Sequence, residues 1–182
     1  MTTPDEPRVQ AATIEDLPQL VELLMELFSE EEDFDPDYAK QERGLRLILE
    51  QPNRGRIFVV RTDHQIIGMV NLLFTISTAA GGFVGLMEDV VIRQEHRGQG
   101  YGSRLINYVV SFAYKKDFLR ITLLTDKISA ESQRFFQKHG FNFSHMIPMR
   151  MSLDTCEDVD PSIDTVPITL RAPTPSKPGS SS

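Results

Sequence analysis

EDVVIRQEHRGQGYGSRLINYVVSFAYK, Glu88 to Lys115, is the stretch around which the rest of the chain is organised. It opens with an apolar strand, Val90-Val91-Ile92, and passes through a short polar turn. A glycine-dense loop follows, Arg97-Gly98-Gln99-Gly100-Tyr101-Gly102. An amphipathic helix comes next, with Leu105, Ile106, Val109, Val110 and Phe112 on its apolar side. Glycine lets the backbone turn sharply and approach a ligand closely. The first N–H groups of a helix have no intrahelical acceptor, and the aligned peptide dipoles favour negative charge there. Strand, loop and helix together predict an anion cradle of pyrophosphate size, with Arg97 as a cation at its entrance.

Upstream of that stretch, Val9 to Ala11 reads as a short first strand. Thr13 with Asp16 three residues on forms a variant capping box for a helix over Ile14 to Phe28. Leu17, Leu20, Val21, Leu24 and Phe28 give that helix its apolar stripe. Ser29 to Asp37 is an acidic run. Two readings of it stand: a lid attracting an amine, or a solvated connection whose carboxylates favour the next helix's N-terminus. Asp35-Pro36 reads as N-cap and first position of a second helix reaching about Glu50. Arg56 to Arg61 and Ile66 to Ser77 form a hairpin across Thr62–Gln65, and Phe83 to Ile92 delivers the glycine loop.

Downstream, Arg120 to Thr125 reads as a buried strand, and Ser129 caps a helix through Lys138 that ends at Gly140. Phe141 to Phe143 and Met146 to Leu153 are expected to add final strands. The expected fold class is therefore a mixed α/β layer structure around one central sheet. Residues 1–153 make one domain, and the Pro/Ser/Thr-rich residues 154–182 are expected to be a mostly disordered tail, with Val166 to Leu170 as a docking segment.

Composition excludes several function classes. A net charge of −7 argues against general nucleic-acid binding, which needs a clustered basic surface. No apolar run reaches the roughly 20 residues of a membrane span. The polar, acidic start does not read as a secretion signal, and the single cysteine, Cys156, allows no internal disulfide. A cytoplasmic location is the expectation. The four histidines show no metal-ligand spacing, so no metal is expected.

Whose phosphates the cradle takes is narrowed by spacing. Gly98, Gly100 and Gly102 do not fit the dinucleotide fingerprint, and no Gly-Lys-Ser/Thr follows as a Walker loop requires. Arg97, Gly100 and Gly102 in the pattern R-x-x-G-x-G resemble the acyl-CoA motif of the GNAT superfamily of N-acetyltransferases. Ser129, Ser132, Phe135, Phe136, Gly140 and Phe141 resemble that family's second motif, N-x-x-A-x-x-L/F-Y-x-x-x-G-F. The resemblance covers about Arg8 to Leu153. The approach Leu86 to Asp89 looks like that of small-amine acetyltransferases within the superfamily.

The resemblance implies a central, mostly antiparallel sheet with splayed strands. It implies acetyl-CoA as co-substrate, with the backbone of Val90, Val91 and Ile92 along its pantetheine arm. Its pyrophosphate would meet the amides of Gly98, Gln99, Gly100, Tyr101, Gly102 and Ser103, with Arg97 contacting phosphate or positioning the loop. Ser129 either touches the pantetheine or serves as an N-cap. Glu88 is the expected catalytic base, or a carboxylate that orients the substrate; strand alternation turns Asp89 to the opposite face. The family's proton-donating tyrosine is replaced by Phe136. Tyr101, Tyr108 and His145 remain as hydroxyl or imidazole groups without an assigned place, and a covalent role for Cys156 has no supporting His/Asp arrangement. The expected partner is a small-molecule amine. A protein lysine or N-terminus, and a non-catalytic acyl-CoA-binding module, are the alternatives. A homodimer through the Met-rich segment 146–153 is a further expectation, with core packing as the other reading of those methionines.

Overall fold

The computed structural model describes residues 6–30, 35–125 and 129–153. Cys156, Val166 to Leu170, the rest of the C-terminal segment and the middle of the acidic run lie outside the described residues. Five strands, β1 (Arg8–Ala11), β2 (Gly55–Arg61), β3 (Ile66–Ser77), β4 (Gly82–Ile92) and β5 (Ile121–Leu123), form one sheet in chain order. The first three pairings are antiparallel; β4 and β5 are parallel. Parallel neighbours need a crossover, and α3 (Tyr101–Lys115) provides it.

Two apolar clusters, one on each face, hold the sheet. Alternation along β2 sends Ile57 and Val59 to one face and Phe58 to the other. On the first face α1 (Leu17–Glu30) and α2 (Tyr38–Glu50) cover the sheet with Leu20, Val21, Leu24 and Leu45. On the second face Leu105, Ile106 and Val109 of α3 pack on Phe58, Val70, Leu72 and Met87. Phe135 and Phe136 of α4 (Ala130–Lys138) lie against the same cluster. Every one of these residues is apolar at the spacing its element requires, so burial rather than local propensity sets the layers.

Most local signals act as read. The Asp16 carboxylate accepts the Thr13 N–H at 2.9 Å, opening a 3₁₀ turn at Ile14–Asp16 that leads into α1. It also accepts from Arg61 Nη1 at 2.8 Å, a largely buried ion pair that ties β2 to the start of α1. The N-cap of α2 is Asp37, whose side chain accepts from the Lys40 N–H at 3.1 Å. Asp35-Pro36 therefore precedes the cap rather than forming it. Ser129 caps α4 by accepting from the Ser132 N–H, and Gly140 takes the left-handed conformation after it at φ 89°.

The expected final strands are corrected by the structure. Neither Phe141 to Phe143 nor Met146 to Leu153 forms a strand among the described residues. Pro148 has no N–H for a ladder and interrupts the second segment. Among the described residues nothing covers its side chains: Met149 is 94% exposed, and Met146, Ile147, Met151 and Leu153 are also exposed. Core packing, one reading of those methionines, is therefore not what they do among the described residues.

Candidate active site

The cleft of this protein arises where two strands stop pairing. β5 meets β4 only along Gly85 to Met87. Beyond Met87 and Leu123 the strands part, and a cleft of ≈550 Å³ opens between them. Met87, Glu88, Asp89, Val90 and Ile92 line one wall, and Leu123, Leu124 and Thr125 the other. The mouth is closed by the glycine loop with the start of α3, and by Ser129, Ser132, Phe135 and Phe136 of α4.

The glycines of the loop act differently. Gly98 and Gly100 adopt φ 74° and 85°, a left-handed backbone that side-chain-bearing residues occupy at a cost. Gly100 is the residue before α3, so the first N–H groups of that helix, which lack intrahelical acceptors, begin in the stretch that lines the cleft. Gly102 is inside the helix, and a Cβ there would stand 3.3 Å from the Phe135 ring. It lets α3 and α4 approach closely. The loop is also pinned. Arg97 donates from Nε to the Ile92 carbonyl at 2.9 Å, and its Nη2 lies 3.2 Å from Glu30 and 3.5 Å from Glu26 on α1. These contacts suit the loop-positioning role read for Arg97. Ser103 Oγ lies 3.0 Å from His139 Nε2, joining the start of α3 to the end of α4. Burial, and then the charge of the adjacent Lys138, hold the His139 imidazole below its usual pKa.

Alternation fails at Asp89. Met69 faces Val91 and Asn71 faces Glu88, so two residues of β4, Asp89 and Val90, oppose the single Val70 of β3. This is a β-bulge. Asp89 sits in it with φ 52°. The extra residue rotates the strand, and Glu88 and Asp89 line one cleft together. The expectation that they face opposite sides is overturned. The sequence did carry a signal: two adjacent carboxylates within an otherwise apolar strand suit a bulge better than a regular ladder.

The remaining expected residues divide clearly. Val90, Ile92, Arg97, Gly98, Gly100, Tyr101, Gly102, Ser103, Ser129 and Phe136 line the cleft. Val91 is buried under the first sheet face. Gln99 donates from Nε2 to the Glu95 carbonyl. Tyr101 lines the cleft, whereas Tyr108 packs against Phe58, ring centroids 5.5 Å apart, and His145 is exposed on the segment after α4. Leu27, Glu131 and the β5 wall line the site as well and were not singled out by the sequence, and Asp89, read as facing away, joins them. No group of His, Cys, Asp and Glu suited to a metal occurs among the described residues, and no described helix is long and apolar enough to cross a membrane.

A parallel strand pair that parts in front of a glycine loop and a helix N-terminus thus frames the site. A model of the Acetyltransferase (GNAT) family matches residues 17–141, and the chain belongs to that family. It is 25% identical over 134 residues to aminoalkylphosphonate N-acetyltransferase of Salmonella typhimurium, covering 74% of this chain and 84% of that protein. Among solved structures it is similar to a Trypanosoma brucei acetyltransferase, with TM-score 0.64, 24% identity and coverage of 81% and 100% of the two chains. It is also similar to an aminoglycoside acetyltransferase from a soil metagenomic sample, solved in complex with sisomicin, with TM-score 0.67, 20% identity and coverage of 81% and 96%.

Proposed function

We propose that this chain transfers the acetyl group of acetyl-CoA to a primary amine of a small molecule, both bound at once. The observation that carries the reading is the opening of β4 from β5 directly onto the left-handed glycines and the start of α3. That geometry fits a long, anion-ended carrier: the arm lies along β4, and the diphosphate meets the amides of Gly98 to Ser103. A Cβ at Gly98 or Gly100 would meet nothing within 4 Å, which leaves the space beside these amides open. The relative's name supports a small amine as acceptor, and the net charge of −7 favours approach of a cationic one. A cytoplasmic setting and assembly into a dimer through the exposed segment 146–153 belong to the same proposal.

Acetyl-CoA supplies the thioester: the amine nitrogen bonds to the acetyl carbon, the carbon–sulfur bond breaks, and CoA leaves. Glu88 takes the proton that the ammonium must lose before it can attack, directly or through water. The backbone of β4 beyond the bulge offers N–H groups at the rim where the oxyanion develops. Phe136 has no hydroxyl to return a proton to sulfur; among the described residues Tyr101 is the tyrosine that lines the cleft, and we assign it that role.

Following free thiol release with acetyl-CoA and a panel of amines tests the reading. Turnover of one or more small amines is expected, and Glu88→Gln should lower kcat about 10²-fold or more with CoA affinity unchanged. Tight CoA binding without release on any amine would instead favour a binding module, the reading that the missing tyrosine at Phe136 motivates.

A further inference from the structure

Asn71 is out of place in the middle of β3. Its neighbours Met69, Val70 and Leu72 are fully buried apolar residues, and Asn71 itself is 2% exposed. Its amide Nδ2 donates to Asp89 Oδ2 across the bulge. Its Oδ1 is buried with no hydrogen-bond partner. A side chain kept for packing at this position would be apolar, since a buried acceptor left unsatisfied is destabilising. The half that is satisfied points to one residue, Asp89, and Asp89 is the one in the left-handed bulge that turns it into the cleft beside Glu88.

We propose that Asn71 is a positioning residue for the acceptor site: its amide fixes the Asp89 carboxylate in the bulge, and Asp89 holds the acceptor's ammonium while Glu88 takes the proton. This deepens the amine reading and rests on it. Two carboxylates in one cleft need a division of labour, because one cannot both anchor the cation and accept its proton. A hydrogen bond from an amide N–H favours the ionised form of a carboxylate and orients it. Asp89 receives such a bond from a buried strand residue, so it is the anchor. Among the described residues, the acidic and basic side chains that share the cleft with Asp89 are Glu88, His96, Arg97 and Glu131. Arg97 is engaged with Glu26 and Glu30 of α1. The ligand class that follows is a primary ammonium whose charge is met before its proton is removed.

The test uses the full chain and has two arms. In the first, carboxyl-¹³C-aspartate NMR identifies the Asp89 resonance as the one lost in Asp89→Asn, and its titration is followed in Asn71→Leu. The midpoint is expected to rise by about one pH unit when the donor is removed; an unmoved midpoint overturns the inference whether or not any amine is turned over. In the second, Asn71→Leu should raise the amine KM about tenfold while the acetyl-CoA KM stays constant. In an Asp89→Asn background the same substitution should add nothing, whereas a merely structural role would persist there. An effect confined to kcat, with the amine KM unchanged, or an additive effect in the double variant, also overturns the inference. A shifted midpoint in a protein that acetylates no amine defeats the acetyltransferase reading and the anchoring role built on it, leaving only the contact. If Asn71→Leu does not fold, Asn71→Ala, which also removes the donor, carries the same measurements.

Discussion

Gly100→Ala separates backbone strain from steric crowding in the glycine loop. Gly100 has φ 85°, and a Cβ built there meets nothing within 4 Å, so the substitution introduces strain without a clash. The left-handed conformation costs an alanine about 1–2 kcal/mol. The reduced freedom of the unfolded alanine chain works in the opposite direction, but at a position with φ > 0 the native-state strain outweighs it. With a urea dependence of about 2 kcal/mol per M for a domain of this kind, the midpoint should fall by roughly 0.5–1 M. Gly98→Ala should behave alike, since its φ is 74° and its surroundings are also open. Gly102→Ala should differ in kind. Gly102 lies within α3, where alanine is the better helix former by about 1 kcal/mol, set against a 3.3 Å contact with the Phe135 ring. Its midpoint should move by less than that of Gly100→Ala. The assay is equilibrium urea unfolding followed by circular dichroism, with and without CoA. CoA should raise the wild-type midpoint by mass action and raise that of Gly100→Ala by less. A Gly100→Ala protein as stable as wild type, with the same response to CoA, would refute the claim that the start of α3 depends on this left-handed turn.

Three further outcomes are expected. Arg61→Met leaves the Asp16 carboxylate, 4% exposed, without its cation, and should cost roughly 3 kcal/mol in urea unfolding; removing both charges in Asp16→Asn/Arg61→Met should recover part of the loss. Tyr101→Phe should lower kcat about tenfold or more, while Tyr108→Phe, further along α3 against Phe58 and outside the cleft lining, leaves it unchanged; equal rates for all three proteins in stopped-flow thiol detection would assign the final proton to water. His139 should make stability depend on pH. Its folded pKa is lowered, first by burial and then by Lys138, so the unfolded chain takes up the proton first as pH falls. Its contribution is present above about pH 6.5 and is lost as pH drops from there through the lowered folded value. The difference in urea midpoint between pH 7.5 and 5.5 should therefore shrink in His139→Asn.

The elements themselves were legible in the sequence, because each carries its own local cause. β3 has the expected bounds, and α4 lies between its Ser129 cap and Gly140. The glycine loop declared itself through spacing, since left-handed turns favour glycine whatever surrounds them. Where local signals compete, the sequence misled. Asp35-Pro36 and Asp37 both suit a helix cap, and the structure uses Asp37. Alternating apolar residues after Phe141 suited a strand, but a strand needs a partner, and no described segment pairs there.

What only the tertiary structure decided is the cleft. That β4 leaves β5 after three paired residues is a property of two segments more than thirty residues apart, and neither segment encodes it alone. The bulge at Asp89 is likewise set by its register against β3, and with it the pairing of Asp89 to Asn71. Arg97 reads in the sequence as a phosphate contact or a loop support; α1, sixty-seven residues earlier at Glu30, meets it with carboxylates. The sequence by itself determined the glycine loop with its left-handed turns after β4 and the helix start that follows it, because capping and glycine geometry act over a few neighbouring residues. Which side chains face the acceptor depends on contacts between distant strands, and those exist only once the sheet has closed.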